Sequence, residues 1–236
     1  MKLFHFLEFI FSKLFFFIYI LILAISLFPG VIIFYSIFSS IEGLQMPLRI
    51  ILICIFLSGI YMSHQILFPI LCGVLFRISP LRFPEGEFPL HSWNGVKWAF
   101  CTALHRSARQ HFPMYTLPSW YVNFYYRLMG AKISKGAHIA SLNINDPQHV
   151  IIGSGSVIGG GTILNSHSAE SGNLIVAKIV IGTDVTVGLK SILLPGVRIE
   201  DNAIVGARSV VTKYVTVPAK EKWVGVPASK LVKKKQ

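Results

Sequence analysis

The sequence predicts a mainly β protein in which a left-handed parallel β-helix follows a pair of membrane-spanning helices. Two observations support this prediction. The N-terminal third contains two long runs without a charged side chain, and the chain beyond residue 131 repeats every six residues. An aromatic and basic segment connects these parts. We therefore expect three domains: a helical hairpin over 1–76, a helical connector over 77–130 and a β-helix over 131–236.

Both apolar runs are long enough to cross a bilayer. Neither Leu14–Ile41 nor Ile50–Phe76 contains Asp, Glu, Lys or Arg, and about 20 helical residues span the hydrocarbon core. A signal peptide is the alternative for the first run. That run is too long for one, lacks a small-residue cleavage site and is followed by a second run. The Pro29–Gly30 pair in its middle permits a kink or a re-entrant bend.

The distribution of charge predicts an orientation. The formal net charge is +12, and residues 1–76 hold only three basic and two acidic residues, which leaves +11 for the rest of the chain. Basic residues cluster after the second run, so both termini and the β-helix are expected on the cytoplasmic side of the cytoplasmic (inner) membrane. A basic body there suits anionic lipids and phosphorylated substrates. No nucleic-acid-binding motif accompanies the charge, and the three cysteines form no CxxC pair or metal-spaced cluster.

The connector is predicted to contain two helices after a proline-rich stretch. In WNGVKWAFCTALHRSARQHF, Val96, Phe100 and Leu104 share one face and the basic residues lie largely elsewhere. This pattern is typical of an interfacial amphipathic helix, and a helix packed against the next domain is the alternative. A second aromatic helix, SWYVNFYYRLM, is predicted to end at Gly130.

Twelve six-residue blocks follow from residue 131. A strict six-residue period is the signal of a parallel β-helix, in which each block supplies one short strand and one turn and three blocks close one triangular coil. The third residue of every block is aliphatic and is expected to point inward. These residues are Ile133, Ile139, Ile152, Ile158, Leu164, Ile181, Val187, Leu193, Ile199, Val205, Val211 and Val217.

These repeats, with the ending VPAKEKWVGVPASKL, resemble the hexapeptide-repeat acyltransferases, which include galactoside, maltose and serine acetyltransferases. The stretch VGLKSILLPGVRIEDNAIVGARSVVTK matches the sugar-acetyltransferase pattern without a gap. The motif EGEFPLHSWNGVKW, together with HSAESGNL, also resembles the membrane-associated hexapeptide domain at the end of some nonribosomal peptide synthetases. The resemblance to the hexapeptide-repeat acyltransferases covers about residues 131–232. It implies a homotrimer that uses acetyl-CoA, or another acyl-CoA, as donor and needs no metal.

The six-residue phase shifts at the seven-residue step NINDPQH, and it breaks more widely where seventeen residues separate Leu164 from Ile181. Loops extruded from a β-helix often carry function, and His167 lies at the root of this one. In the families that the chain resembles, a histidine here is the base that deprotonates the acceptor. Glu170 is a candidate to orient the imidazole, with a solvated loop charge as the alternative. Asp146 is a candidate to contact the acceptor or fix the loop, and a simple Asp-Pro turn is the alternative.

The donor site also follows from the resemblance. Family members bind the pantetheine arm of coenzyme A in a groove between adjacent subunits of a trimer. The matching positions here are Leu189, Ala207, Thr212 and Lys213. A small residue lets the arm approach the backbone, and a lysine can meet a phosphate. The chain departs from the sugar enzymes at Ser229, which stands roughly where those enzymes have an arginine.

The sequence therefore predicts an acyltransferase that acts on a hydroxyl or amine of a membrane-linked glycan, lipid or peptidyl acceptor. Two alternatives belong to other classes. A γ-class carbonic anhydrase shares the fold but requires three zinc-binding histidines, whereas His138, His149 and His167 are spread singly. A non-catalytic trimeric scaffold for a membrane partner is the second alternative.

Overall fold

The computed structural model describes residues 2–232, and it describes side chains from residue 9 onward. Met1 of the first predicted domain and residues 233–236 of the last one lie outside the described residues. The chain divides into two compact units. The first holds the chain up to Leu75 together with Arg106–Pro113, and the second holds Phe76–His105 and the chain from Met114.

The first unit is built on two long helices, α1 (Lys2–Phe38) and α2 (Met46–Ile78), joined by a short 3-10 turn. Over Phe9–Ile41 and Met46–Ile78 they are long and apolar enough to cross a membrane, and few of their side chains are buried. The helix α1 continues through Pro29. A Cβ atom at Gly30 would lie 2.9 Å from Cγ1 of Ile60, so the absence of a side chain there lets the two helices pack closely.

A chain of hydrogen bonds crosses the first unit. The hydroxyl of Ser26 lies 2.6 Å from Nδ1 of His64, and Nε2 of His64 lies 2.9 Å from Nδ1 of His111. The hydroxyl of Tyr19 lies 2.9 Å from Nε2 of His111, whose ring also packs on Phe68 with centroids 4.1 Å apart. Burial lowers the pKa of His111, and neutral rings satisfy every link of this chain. The network therefore fastens the Arg106–Pro113 segment to both long helices.

The connector supplies one strand and two helices: β1 (Gly86–Pro89), α3 (Trp93–Gln110) and α4 (Trp120–Leu128). Both predicted helices are thus confirmed. Two residues of the apolar face that was predicted for α3, Val96 and Leu104, are buried. The helix α4 begins at Ser119, whose hydroxyl accepts a hydrogen bond from the Tyr121 N–H, and it ends before Gly130, which has a φ of 93° that favours glycine.

Short strands in regular succession form the rest of the second unit. In chain order they are β2 (Lys132–Ile133), β3 (His138–Ile139), β4 (Ile144–Asn145), β5 (Val150–Ile152), β6 (Val157–Ile158), β7 (Ile163–Asn165), β8 (His167–Glu170), β9 (Asn173–Val176), β10 (Ile179–Ile181), β11 (Thr186–Val187), β12 (Ile192–Leu193), β13 (Arg198–Ile199), β14 (Ile204–Val205), β15 (Val210–Val211), β16 (Thr216–Val217), β17 (Lys222–Gly225) and β18 (Ala228–Lys230).

Most of these strands stack into three parallel sheets, one for each side of a triangular coil. The sheets have the orders β16-β13-β10-β5-β2, β17-β14-β11-β6-β3 and β15-β12-β7-β4, and β18 closes the second sheet as an antiparallel neighbour of β17. Partners in successive regular coils are 18 residues apart, as Ile181 and Ile199 are. All twelve predicted inward residues are buried, none more than 7% exposed. The prediction of a parallel β-helix is confirmed.

The break in the repeat is a β-hairpin. Ile152 pairs with Ile181, 29 residues further along the chain instead of 18, and the extra residues form β8 and β9. The strand β1 of the connector pairs antiparallel with β9, so β1, β9 and β8 make a separate three-stranded sheet. The motifs EGEFP and HSAESGNL, which lie far apart in sequence, therefore meet in one sheet. An ion pair between Glu85 and Lys178 fastens the edge of this sheet.

Candidate active site

The register of the coils brings Asp146 and His167 together. The strands β4 and β7 lie side by side in one sheet, with Asn145 opposite Asn165. Asp146 immediately follows β4, and His167 follows β7 by two residues. Asp146 has a left-handed backbone, with a φ of 53°, which turns the chain out of the strand. The two side chains therefore leave the same edge of neighbouring coils.

The imidazole and the carboxylate form a short hydrogen bond. The Nδ1 atom of His167 lies 2.5 Å from Oδ2 of Asp146, and the side chains are 18% and 3% exposed, respectively. Because an ionised carboxylate only accepts, Nδ1 carries the hydrogen of this bond and Nε2 of the neutral ring keeps a lone pair. A buried carboxylate that holds a histidine in this tautomer prepares it to act as a general base.

Two asparagines hold the backbone of the histidine in place. The side-chain amide of Asn145 donates to Oδ1 of Asn165 at 2.9 Å. The amide of Asn165 in turn donates to the main-chain carbonyl of His167 at 2.8 Å. The sequence alone indicates no role for either asparagine. Their pairing depends on the register of β4 and β7, which places Asn145 opposite Asn165.

Glu170 is the carboxylate that was predicted to orient the imidazole, whereas Asp146 was predicted to contact the acceptor or fix the loop. In the structure Asp146 contacts His167, and Glu170 has a different partner. It lies at the end of β8, three residues after His167, and its carboxylate forms an ion pair with Lys213. This ion pair joins the hairpin to the turn that follows β15. The strand β15 lies in the same sheet as β7, so the ion pair connects the histidine hairpin with one of the predicted donor-site positions.

The predicted donor positions occupy two corners of the β-helix. Leu189 and Ala207 follow the paired strands β11 and β14 and are both exposed, and the main-chain carbonyl of Leu189 accepts a hydrogen bond from the Arg208 N–H at 2.9 Å. Thr212 and Lys213 follow β15 at another corner, where Thr212 is exposed. The four positions thus lie at exposed corners of neighbouring coils, as a site reached from solvent requires.

The aromatic ring of Trp98 packs against His167, a contact between residues 69 positions apart that the sequence does not indicate. Their ring centroids lie 4.9 Å apart with an angle of 66° between the planes. Trp98 lies on α3, outside the apolar face that the helical pattern indicated. Its Nε1 atom is buried and has no hydrogen-bond partner within residues 2–232.

Other titratable groups near His167 are poorly suited to act as a nucleophile or as a base. Burial raises the pKa of Cys101 to about 12, so its thiol stays protonated and is a weak nucleophile. Burial lowers the pKa of His149, which is enclosed, whereas the side chain of His167 is partly open to solvent. Within residues 2–232, no group of three or more His, Cys, Asp or Glu side chains is arranged to hold a metal ion.

A cavity of about 20 Å³ lies beside Asp146. Its lining residues include Thr102, Asn145 and Asp146. Pockets that enclose small molecules measure roughly 300–1,000 Å³. This cavity is therefore too small to enclose a small molecule, whereas the side chain of His167 is 18% exposed and opens onto the surface.

Comparison with known proteins finds similarity in the repeats. Residues 178–213 match a family model described as the hexapeptide repeat of succinyl-transferase. Delta-poly-L-ornithine synthetase of Acinetobacter baumannii (strain AB307-0294) is 29% identical over 156 residues, which are 66% of this chain and 11% of that protein. Chloramphenicol acetyltransferase of Agrobacterium fabrum (strain C58) is 42% identical over 48 residues, which are 20% of this chain and 23% of that protein.

The chain thus matches only a minor part of the length of each of these two relatives. Among solved structures, a maltose O-acetyltransferase from Clostridium difficile 630 aligns with a TM-score of 0.47 and 18% identity, over 64% of this chain and 94% of that one. The residues that match the family model lie within the regular six-residue coils, from just before β10 to the turn after β15. In these residues the β-helix of this chain is similar to the hexapeptide-repeat transferases.

Proposed function

We propose that the protein transfers an acetyl or other acyl group from a coenzyme A thioester to a hydroxyl or amine, with His167 as the general base. The observation that carries this proposal is the 2.5 Å hydrogen bond between His167 Nδ1 and Asp146 Oδ2 at the root of the hairpin. It prepares a neutral imidazole whose second nitrogen keeps its lone pair.

The proposed reaction is a direct transfer within a ternary complex. His167 Nε2 accepts the proton of the acceptor while the acceptor oxygen or nitrogen attacks the thioester carbonyl. A hydrogen-bond donor of the protein stabilises the oxyanion that forms on the carbonyl oxygen. The carbon–sulfur bond then breaks, and the coenzyme A sulfur takes the proton from the imidazolium. Asp146 stabilises the imidazolium between these two proton transfers.

The proposed donor groove contains Leu189, Ala207, Thr212 and Lys213 and is completed by a neighbouring subunit in a homotrimer. Three features support this placement. All four positions lie at corners of the coils, Leu189 and Ala207 are exposed side by side, and the ion pair of Lys213 with Glu170 links this region to the hairpin of His167.

The proposed acceptor is linked to the membrane, as a glycan, a lipid or a peptidyl lipid. Support comes from α1 and α2, which carry many exposed apolar side chains along stretches long enough to span a bilayer. Apolar surface of this extent is expected to be covered by lipid. We place the protein in the cytoplasmic membrane with the β-helix on the cytoplasmic side, because the basic residues follow the second span.

The test is release of free thiol from acetyl-CoA by the full chain in detergent micelles, with and without a total lipid extract as acceptor. His167→Ala should lower the rate by about 10²–10⁴-fold, the usual contribution of one positioned base. His138→Ala is the matched control, because that histidine is exposed on β3, and it should leave the rate unchanged. A near-wild-type rate in His167→Ala would rule out the assignment, and no turnover by the unaltered protein would favour the scaffold alternative.

A further inference from the structure

Two side chains from separate parts of the chain hold the imidazole of His167. Asp146 binds Nδ1, and the indole of Trp98 packs against the ring at a centroid distance of 4.9 Å. With a hydrogen bond at one nitrogen, the ring can still tilt by small torsions about the Cα–Cβ and Cβ–Cγ bonds. A flat side chain beside the ring removes this freedom, so the two contacts together determine where Nε2 points.

The element that carries Trp98 is itself held in place. The strand β1 pairs with β9 of the hairpin, and the Leu90 N–H donates to the Gly172 carbonyl at 2.9 Å. The helix α3 then begins, and the hydroxyl of Ser92 accepts a hydrogen bond from the Gly95 N–H at 3.3 Å. A Cβ atom at Gly95 would collide with the carbonyl of Leu90, so this turn is tightly packed. The position of Trp98 relative to the hairpin is therefore well determined.

Trp98 acts through its ring rather than through its N–H group. Its Nε1 is buried and has no hydrogen-bond partner in the described part of the chain. Leaving an N–H unpaired costs stability, and phenylalanine would avoid this cost with a smaller ring. Replacing Trp98 by phenylalanine therefore removes no hydrogen bond within residues 2–232, which separates the effect of the ring from that of its N–H.

We propose that Trp98 is a positioning residue for His167. It keeps water from one side of the imidazole and holds Nε2 toward the acceptor, and its ring favours the imidazolium that forms during transfer. The connector thereby supplies part of the active site. This inference rests on the proposed function, in which His167 is the base.

The test compares three variants of the full chain in detergent micelles. Trp98→Ala should lower kcat for thiol release from acetyl-CoA by about tenfold to a hundredfold, since small displacements of a reacting group have effects of this size. The KM for acetyl-CoA should stay within about twofold, because the donor positions are separate from Trp98. Trp98→Phe should recover most of kcat. Trp120→Ala is the control, because Trp120 is 76% exposed on α4.

A second measurement does not depend on turnover. Diethyl pyrocarbonate modifies neutral imidazoles, and mass spectrometry of the His167 peptide gives the rate at that residue. The rate should rise severalfold in Trp98→Ala and return toward the wild-type value in Trp98→Phe. Unchanged labelling of His167 in Trp98→Ala, or a Trp98→Phe variant as slow in turnover as Trp98→Ala, would overturn the proposal. If His167→Ala keeps full activity, the proposed function fails while the labelling still reports whether Trp98 covers His167.

Discussion

The substitution Asp146→Asn tests the contribution of the carboxylate charge while it preserves the shape of the side chain and the backbone conformation. Asparagine has nearly the same shape and tolerates the left-handed backbone that Asp146 adopts at a φ of 53°. The variant should therefore fold, whereas alanine would strain the turn. The substitution replaces the charged oxygen that His167 Nδ1 meets at 2.5 Å by a neutral amide.

The expected loss follows from the burial of this contact. A hydrogen bond to a charged group contributes about 1.5–3 kcal/mol and a neutral one about 0.5–1.5 kcal/mol. The side chain of Asp146 is 3% exposed, so water does not compensate for the lost charge. The charge stabilises the imidazolium that forms in the transition state more than it stabilises the neutral ring. A loss of about 1–2 kcal/mol in that extra stabilisation lowers the rate about 5- to 30-fold. If the amide introduced by Asp146→Asn instead turns its NH₂ group to Nδ1, the proton moves to Nε2, the base is lost and the decrease is greater.

The assay is thiol release from acetyl-CoA by the full chain across a range of pH. Asp184→Asn is the matched control, because Asp184 has almost the same backbone, with a φ of 52°, but is exposed at another corner of the β-helix. Glu170→Gln should cost less than Asp146→Asn, since Glu170 pairs with Lys213 rather than with His167. The reasoning is refuted if Asp146→Asn retains the wild-type rate, or if Glu170→Gln is equally damaging.

Two further predictions concern packing and assembly. Gly30→Ala should lower the thermal unfolding temperature of the detergent-solubilised protein, because its Cβ would lie 2.9 Å from Ile60 Cγ1 and overpacking costs about 1–3 kcal/mol. Gly59→Ala, which meets nothing within 4 Å, should leave it unchanged or raise it, and equal effects of the two substitutions would contradict the close helix contact. Chemical cross-linking in detergent should give trimers, and a strictly monomeric protein with full activity would contradict a donor groove completed by a neighbouring subunit.

The β-helix could be predicted from the sequence because its rules are local. Each block of six residues makes a short strand and a turn, and the aliphatic residue must face inward for the coil to have a core. All twelve inward positions were therefore visible as a simple period. The wider of the two breaks in that period contains the hairpin, with His167 at its root. The two long helices could be predicted equally well, since the length of each run and the absence of charged residues from it are read directly from the sequence.

The partners of His167 could not be predicted with the same certainty, because they depend on contacts between distant parts of the chain. Glu170 lies three residues from His167 and Asp146 lies 21 residues before it, yet the stacking of β4 beside β7 brings Asp146 to Nδ1. Glu170 sits at the other end of β8 and meets Lys213 instead.

Trp98 is further still in sequence and reaches His167 because β1 joins the hairpin through β9. Periodicity determines which side of a strand or helix faces the core. Only the alignment of one coil on the next, and of the connector on the hairpin, determines which polar and aromatic side chains meet at the exposed edge.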